Sequence, residues 1–194
     1  HLPKTIKLKL HFEILFTEWV LKLIRNNKRH YPLSISPPWR HLYRITMFED
    51  LKSKAKSISV TGLGYVGLPL ALEFSRHFRV IGFDINEDRI AMMRQKADPS
   101  MELPSSAFEG CDIQFTSDPM DLRNAHFHII GVPTDIDDHK VPDLNPLLKA
   151  SRSVGAALKK GDYVVYESTV YPGCTEDDCL PELEKASGLK GGLD

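Results

Sequence analysis

The sequence predicts a doubly wound α/β domain, in which helices cover both faces of a parallel β-sheet. Short apolar segments of strand type alternate with longer segments of helical periodicity over residues 47–194. A glycine-rich turn with the sequence GLGYVG, residues 62–67, ends the first strand and opens the first helix. The connections between strands are long enough for the right-handed crossovers that parallel strands require.

Five strands are expected, and the alternation of apolar and polar residues is clearest in the first. Ile58 and Val60 alternate there with serine and threonine before the chain reaches Gly62. Apolar and β-branched residues define the later strands, and Pro133 follows the fourth. The predicted strands cover residues 58–61, 79–84, 113–116, 126–132 and 163–166.

Four helices are expected between and after these strands. In the first, Val66, Leu70 and Phe74 recur at helical spacing, and Pro69 lies early enough to be tolerated. Asn86 is the expected N-cap of the second. The predicted helices cover residues 66–74, 87–96, 145–160 and 175–186, with polar loops at 97–110 and 134–144.

The composition divides the chain into two parts. Of its 194 residues, 42% are hydrophobic and 26% are charged, which is typical of a globular protein. Residues 1–46 hold nine lysines and arginines and two acids, whereas residues 47–194 hold sixteen and twenty-four. We therefore predict an N-terminal extension over residues 1–46 and a folded domain over residues 47–194.

The extension is expected to be disordered or foreign to the native protein. Charged residues and a histidine interrupt its apolar segment 8–24, whereas a membrane-spanning helix needs about 20 largely uncharged residues. An amphipathic surface helix is the alternative, because basic residues accompany Phe12, Phe16 and Trp19. Met47 opens a segment that leads directly into the first strand, so we expect the natural protein to start there.

The three cysteines are Cys111, Cys174 and Cys179. An odd number of cysteines is most simply interpreted as reduced thiols in a cytoplasmic protein. No group of cysteine or histidine residues surrounds Cys174 and Cys179, so no metal site is predicted.

Each glycine of the glycine-rich turn has a physical role in binding a dinucleotide. Gly62 would make the tight turn, Gly64 would let the main chain approach a pyrophosphate, and Gly67 would let the helix pack closely on the strand. The helix N-terminus offers unpaired N–H groups to the phosphates. A plain glycine-rich turn is the alternative interpretation.

Asp84 lies twenty residues beyond Gly64, at the end of the second strand. A carboxylate there can accept hydrogen bonds from an adenosine ribose, which makes a dinucleotide the favoured ligand. It would also repel a 2′-phosphate, so the sequence favours NAD over NADP. Arg89 on the following helix could weaken that preference by offering positive charge to a phosphate.

Two further polar clusters follow the fourth and fifth strands, where ligands bind in sheets of this type. They are the segments around Thr134 and around Glu167 and Thr169. Their hydroxyls could contact the cofactor or order a water near the nicotinamide. Equally, they could cap and turn the chain.

Four segments, in the right order and at suitable spacing, resemble the UDP-glucose/GDP-mannose dehydrogenase family. They are GLGYVGLPL at 62–70, IGFD at 81–84, GVPT at 131–134 and YESTVYPG at 166–173. The resemblance covers essentially all of residues 47–194 and implies a Rossmann-type NAD-binding domain. The ESTVYPG form is most similar to the branch that oxidises UDP-N-acetylhexosamines for bacterial surface polysaccharides.

The resemblance also assigns expected roles to residues. It implies that the glycine turn, Asp84 and Arg89 bind NAD, the last two at the ribose. It implies that Thr134 and Thr169 contact the cofactor and that Thr169 orders a water near the reacting carbon. The expected cofactor-binding residues are Gly62, Gly64, Tyr65, Val66, Gly67, Asp84, Arg89, Thr134 and Thr169.

The family reaction oxidises a primary alcohol of a nucleotide sugar at C6 to the carboxylic acid with two NAD⁺, through adducts of a catalytic cysteine. That cysteine and its Glu, Lys and Asn partners belong to later motifs, and Cys174, where relatives often have threonine, is interpreted as structural. We therefore expect this chain to be incomplete, without a sixth strand, and inactive alone. A nucleotide-sugar substrate and a homo-oligomer at full length are also expected, with no nucleic acid partner and no membrane span.

Three alternatives differ in class. A stand-alone NAD-binding or redox-sensing module would need a fold that closes by residue 194, but only five strands are predicted. A hydroxyacyl-CoA or phosphogluconate dehydrogenase has a similar cofactor half, and the segment 167–173 argues against it. An S-adenosylmethionine site fits less well, because Gly67 and Asp84 suit a pyrophosphate and a ribose better.

Overall fold

The computed structural model describes residues 47–134 and 142–194. Residues up to Lys56 belong to one unit and Ser57–Asp194 form a second. The described part of the first unit is a helical turn over residues 47–52, followed by a bend in which Lys56 Nζ lies 3.1 Å from Asp50 Oδ2. The predicted extension 1–46, with its amphipathic helix, and most of the predicted loop 134–144 lie outside the described residues.

The second unit contains the predicted five strands, all of them parallel. Their order across the sheet is β3-β2-β1-β4-β5, which is the doubly wound order. Every residue of β1, β2 and β4 is buried, because these strands have neighbours on both sides and cover on both faces. The strands are β1 Ile58–Thr61, β2 Val80–Phe83, β3 Ile113–Thr116, β4 Phe127–Ile130 and β5 Tyr163–Tyr166.

Four α-helices lie between or after the strands, as the sequence predicts. Asn86 caps the second, since its side chain accepts a hydrogen bond of 3.0 Å from the Arg89 N–H. Two short 3₁₀ turns, Ser105–Phe108 and Pro119–Asn124, fall in segments where no helix was predicted. The helices are α1 Gly67–Ser75, α2 Glu87–Arg94, α3 Asn145–Gly155 and α4 Leu180–Ser187.

The prediction that the third helix reaches Lys160 is wrong, because α3 ends at Gly155. The chain tightens after it, with hydrogen bonds from the N–H groups of Ala157 and Leu158 to carbonyls three residues earlier. The Lys159 N–H then donates to the carboxylate of Asp162 at 2.8 Å. The Lys159 N–H, which would bond to a main-chain carbonyl if the helix continued, is thus bound to a side chain instead.

The fourth helix also differs from its prediction, because it opens with a wider π-helical turn over Thr175–Cys179. The proline at position 181 explains this, since a proline ring inside an α-helix clashes with the carbonyl four residues earlier. The π turn adds a residue before the proline, so the Leu180 N–H bonds to Thr175 O, five positions back.

Successive side chains on each strand point to opposite faces of the sheet. Residues in register share a face, so Phe83 and Ile130 point to the same side as Thr61. That face packs against α3, α4 and the 3₁₀ turn at 119–124, in a buried cluster that includes Phe83, Leu122, Ile130, Leu147, Val154 and Leu183. The opposite face carries Val60 beside the start of α1.

A buried polar cluster lies at the amino ends of the strands. His128 is fully buried, its Nδ1 lies 2.7 Å from Ser59 Oγ, and burial lowers the pKa of its imidazole. Its Nε2 is 3.6 Å from a carboxylate oxygen of Asp162, which also pairs with Lys159 Nζ at 3.0 Å. The cluster holds β4 against β1 and the start of β5, and it lies at the opposite end of the sheet from the glycine turn.

No helix in the described part of the chain is long and apolar enough to cross a membrane.

Candidate functional site

The glycine turn occupies the carboxyl end of β1 and is shaped by two close contacts. Gly62 has a φ of 90°, which side chains disfavour, and a Cβ there would lie 2.7 Å from Val132 Cγ1. A Cβ at Gly67 would lie 1.8 Å from the carbonyl oxygen of Gly62. Only hydrogen atoms on both Cα atoms allow the turn to fold back between α1 and the segment that follows β4.

Gly64 contrasts with both, because a Cβ built on it would have no atom within 4 Å. The space beside Gly64 therefore faces outward from the fold. No side chain caps the N-terminus of α1, and Tyr65 and Val66 are 61% and 42% exposed. An open approach to the main chain beside an uncapped helix N-terminus suits the pyrophosphate of a dinucleotide.

Asp84 follows β2 and binds the glycine turn directly. Its Oδ2 accepts a hydrogen bond of 2.9 Å from the Leu63 N–H, and its Oδ1 accepts one of 3.0 Å from the Asn86 N–H. Each carboxylate oxygen keeps further acceptor capacity. Asp84 is only partly buried, so a ribose hydroxyl has access to it.

Arg89 lies on α2 and binds the main chain of the same residue, Leu63, at its carbonyl group. Its Nη2 donates to Leu63 O at 2.9 Å and approaches Ser100 Oγ at 3.4 Å. Among the ion pairs within the described residues, none joins Arg89 to Asp84. The two residues therefore bind the turn side by side without a direct ion pair between them.

The loops after β4 and β5 are joined by hydroxyl groups. Thr134 Oγ1 donates to Thr169 O, and Ser168 Oγ donates to Val132 O, each at 2.6 Å. Both hydroxyls thus serve the main chain, which is the capping and turning alternative of the sequence interpretation. The side chain of Thr169 is exposed.

Glu167 belongs to a polar cluster that the sequence predicts, although the sequence interpretation gave its carboxyl group no role of its own. Its N–H continues the β4–β5 pairing with a bond of 2.8 Å to Ile130 O, which places it directly after β5. Burial raises the pKa of its carboxyl group to about 7. The residue can therefore change charge near neutral pH beside the hydroxyl-linked loops.

The thiols of the two C-terminal cysteines do not reach this site as nucleophiles. Cys174 and Cys179 are fully buried under α3 and α4, and burial raises the pKa of Cys179 to about 11. Burial also raises the pKa of Cys174. Such thiols are inert, which supports a structural role for Cys174. Within residues 47–134 and 142–194, no three His, Cys, Asp or Glu side chains form a group that could hold a metal ion.

The structure gathers the predicted residues into two groups at the carboxyl edge of the sheet. The first contains the glycine turn, Asp84 and Arg89, and the second contains Thr134 and Thr169. The sequence interpretation missed Ser100, whose hydroxyl lies 3.4 Å from Arg89 Nη2, and Asp98, whose carboxylate accepts the Ser100 N–H. An available signal was the Asp-Pro-Ser sequence at 98–100, which is typical of a tight turn with a side-chain acceptor.

Comparison with known proteins yields one family. The model of the UDP-glucose/GDP-mannose dehydrogenase family, NAD binding domain, matches residues 56–194. The chain is 54% identical over 143 residues to a UDP-N-acetyl-D-glucosamine 6-dehydrogenase of Pseudomonas aeruginosa. It is 52% identical over 139 residues to the protein CapL of Staphylococcus aureus. These matches cover 73% and 72% of this chain and 33% of each relative.

Solved structures give the same result. A UDP-D-ManNAc dehydrogenase from Pyrococcus horikoshii superposes with a TM-score of 0.63 at 32% identity, covering 71% of this chain and 34% of that protein. A GDP-mannose dehydrogenase from Pseudomonas aeruginosa superposes with a TM-score of 0.65 at 29% identity, with the same coverage. The chain thus spans about a third of the length of the proteins it resembles.

Gly64 has open space beside its Cα, whereas a Cβ at Gly67 would clash, so alanine substitutions at these two positions make a matched pair of variants. Gly67→Ala should lower the free energy of unfolding by on the order of 3 kcal/mol, because its Cβ meets the Gly62 carbonyl. Gly64→Ala should leave stability within about 0.5 kcal/mol and weaken NAD⁺ binding by roughly tenfold or more. Urea unfolding and calorimetric titration measure the two effects. A Gly64→Ala variant that binds NAD⁺ as tightly as the wild type would contradict the assignment of the open space.

The raised pKa of Glu167 predicts that the stability of the fold depends on pH. Its pKa is raised in the folded state, so the wild type loses stability as pH rises from about 4.5 to about 7. Glu167→Gln should remove this loss and gain on the order of 1 kcal/mol over the wild type at about pH 8, with no gain at about pH 4. Urea unfolding across this range is the measurement, with exposed Glu176→Gln as the control. A gain of equal size at both pH values would argue against titration of Glu167.

Proposed function

The chain belongs to the UDP-glucose/GDP-mannose dehydrogenase family and carries its NAD-binding domain, and on this basis we propose what the whole protein does. It oxidises the C6 alcohol of a nucleotide sugar to the carboxylic acid, with NAD⁺ as the electron acceptor. The substrate is a UDP-hexose, and a UDP-N-acetylhexosamine is favoured among these.

One observation carries the cofactor side of this proposal. Asp84 binds the glycine turn at the Leu63 N–H, one residue before the open space at Gly64. That arrangement offers a ribose acceptor and a pyrophosphate site in one continuous surface. The substrate side rests on the relatives, one of which is named a UDP-N-acetyl-D-glucosamine 6-dehydrogenase.

The residues of this chain bind and orient the cofactor. The glycine turn and the N-terminus of α1 hold the pyrophosphate, and Asp84 and Arg89 define the ribose end. Thr134 and Thr169 shape the nicotinamide end, where Thr169 orders a water molecule. Bound NAD⁺ supplies the hydride acceptor. Cys174 and Cys179 do not supply the thiol that the family reaction requires, since both are buried.

The proposed context follows from the same resemblance. The uronic acid product serves surface polysaccharide synthesis, in the cytoplasm, where thiols stay reduced and NAD⁺ and nucleotide sugars are supplied. The functional domain is proposed to start at Met47, and the full-length protein to assemble as a homo-oligomer.

A chimera tests the proposed activity. Residues 56–194 replace the matching part of the Pseudomonas aeruginosa relative, and NADH formation is followed at roughly 340 nm with UDP-N-acetylglucosamine and other UDP-hexoses. The chimera should reduce NAD⁺, and the 194-residue chain alone should not. A folded chimera that binds NAD⁺ and yields no NADH with any of these sugars would refute the proposed reaction.

Asp84 should set the preference for NAD⁺ over NADP⁺. Asp84→Asn removes the charge that repels a 2′-phosphate and half of the acceptor capacity for the ribose. The preference should therefore shrink by about 1–3 kcal/mol, as measured by calorimetric titration of the chain with both cofactors. Asp88→Asn, which removes an exposed charge one turn away on α2, should leave the preference unchanged. Equal affinities of the wild type for both cofactors would overturn the assignment.

A further inference from the structure

Both main-chain polar groups of Leu63 are bound by side chains, although this residue lies between two glycines of a turn. Asp84 accepts its N–H at 2.9 Å, and Arg89 donates to its carbonyl at 2.9 Å. The leucine side chain is fully buried, so this residue is the fixed point of the turn. The charge of Arg89 is thereby directed at the main chain.

Arg89 has a second contact, which comes from the loop between α2 and β3. Ser100 Oγ lies 3.4 Å from the same Nη2 that binds Leu63 O. Ser100 is partly buried, and the neighbouring Met101 is 91% exposed. The loop thus turns its hydroxyl toward Arg89 and its large apolar side chain outward.

Hydrogen bonds to the side chain of Asp98 stabilise this loop. Its buried carboxylate accepts three main-chain N–H groups: Ser100 at 2.8 Å, Glu102 at 3.0 Å and Leu103 at 2.9 Å. Its carbonyl accepts the Met101 N–H at 3.0 Å and closes a β-turn. Met101 has a φ of 55°, a conformation that costs energy for a residue with a side chain, so the surrounding hydrogen bonds must impose it.

We propose that Asp98 and Ser100 are positioning residues for cofactor selectivity. The Asp98 turn presents Ser100 to Arg89, and Ser100 helps to keep the guanidinium on Leu63 O. An arginine near the ribose is the group that would bind the 2′-phosphate of NADP. Held on the main chain, Arg89 supports the glycine turn for NAD⁺ and is withdrawn from a phosphate.

Selectivity in this arrangement has two parts. Asp84 repels a 2′-phosphate, and the Asp98 turn withholds the positive charge that would offset that repulsion. Loosening the Asp98 turn should therefore change the affinities for the two cofactors in opposite directions. NAD⁺ binding should weaken because the Leu63 carbonyl loses its donor, and NADP⁺ binding should strengthen because Arg89 becomes free. This inference rests on the proposed role of Asp84 at the ribose.

The test measures the dissociation constants of NAD⁺ and NADP⁺ on the 194-residue chain by calorimetric titration. Ser100→Ala should narrow the ratio of NADP⁺ to NAD⁺ dissociation constants by about threefold, and Asp98→Asn by about tenfold. Ser100→Thr keeps the hydroxyl and should retain the ratio of the wild type. Ser105→Ala, on the exposed 3₁₀ turn nearby, should leave both constants unchanged.

A second buried carboxylate separates positioning from general stability. Asp162→Asn alters a carboxylate that also accepts a main-chain N–H, at the opposite end of the sheet. Asp98→Asn and Asp162→Asn should both lower the melting temperature, but only Asp98→Asn should change the cofactor ratio. If Asp98→Asn and Ser100→Ala leave the ratio unchanged while the wild type binds NAD⁺ selectively, the inference fails and the proposed function stands. If the wild type does not bind NAD⁺, the proposed function itself fails.

Discussion

The contact between α1 and β1 at Gly67 and Gly62 is the constraint on which the site depends. A Cβ at Gly67 would lie 1.8 Å from the Gly62 carbonyl oxygen, so the helix approaches the strand as closely as main chain permits. This approach aims the first N–H groups of α1 over the carboxyl edge of the sheet. It also leaves Gly64 at the outside of the turn, where a phosphate can reach the backbone.

Hydrogen bonds from the end of β2 and from α2 hold the turn in place. Asp84 at the end of β2 accepts a hydrogen bond from the Leu63 N–H, and Arg89 on α2 donates one to the Leu63 carbonyl. The segment after β4 closes the other side, where Val132 contacts the position of Gly62. The turn is therefore shaped by three segments that are distant from it in sequence.

The loops after β4 and β5 are built in a different way. The hydroxyl groups of Thr134 and Ser168 each donate a hydrogen bond to a main-chain carbonyl of the facing loop. These bonds fix the loops after β4 and β5 to each other. Glu167 lies beside them with a pKa raised by burial to about 7. This region thus combines a fixed main chain with one group whose charge depends on pH. The buried, high-pKa thiols of Cys174 and Cys179 take no part in it.

The sequence by itself determined the five strands, the presence of four α-helices, the glycine turn and the position of Asp84, because hydrophobic periodicity and turn glycines are local properties of the chain. It also indicated the family, and the comparisons agree. It misplaced the end of α3 and missed the π turn before α4, since a side-chain acceptor that follows α3, Asp162, and the ring of a proline decided those boundaries, and neither changes the hydrophobic periodicity. Only the tertiary structure decided that Arg89 binds the Leu63 carbonyl and that Thr134 serves the main chain of Thr169. Those partners lie 26 and 35 residues apart, and no local pattern specifies which donor meets which acceptor once the strands pack side by side.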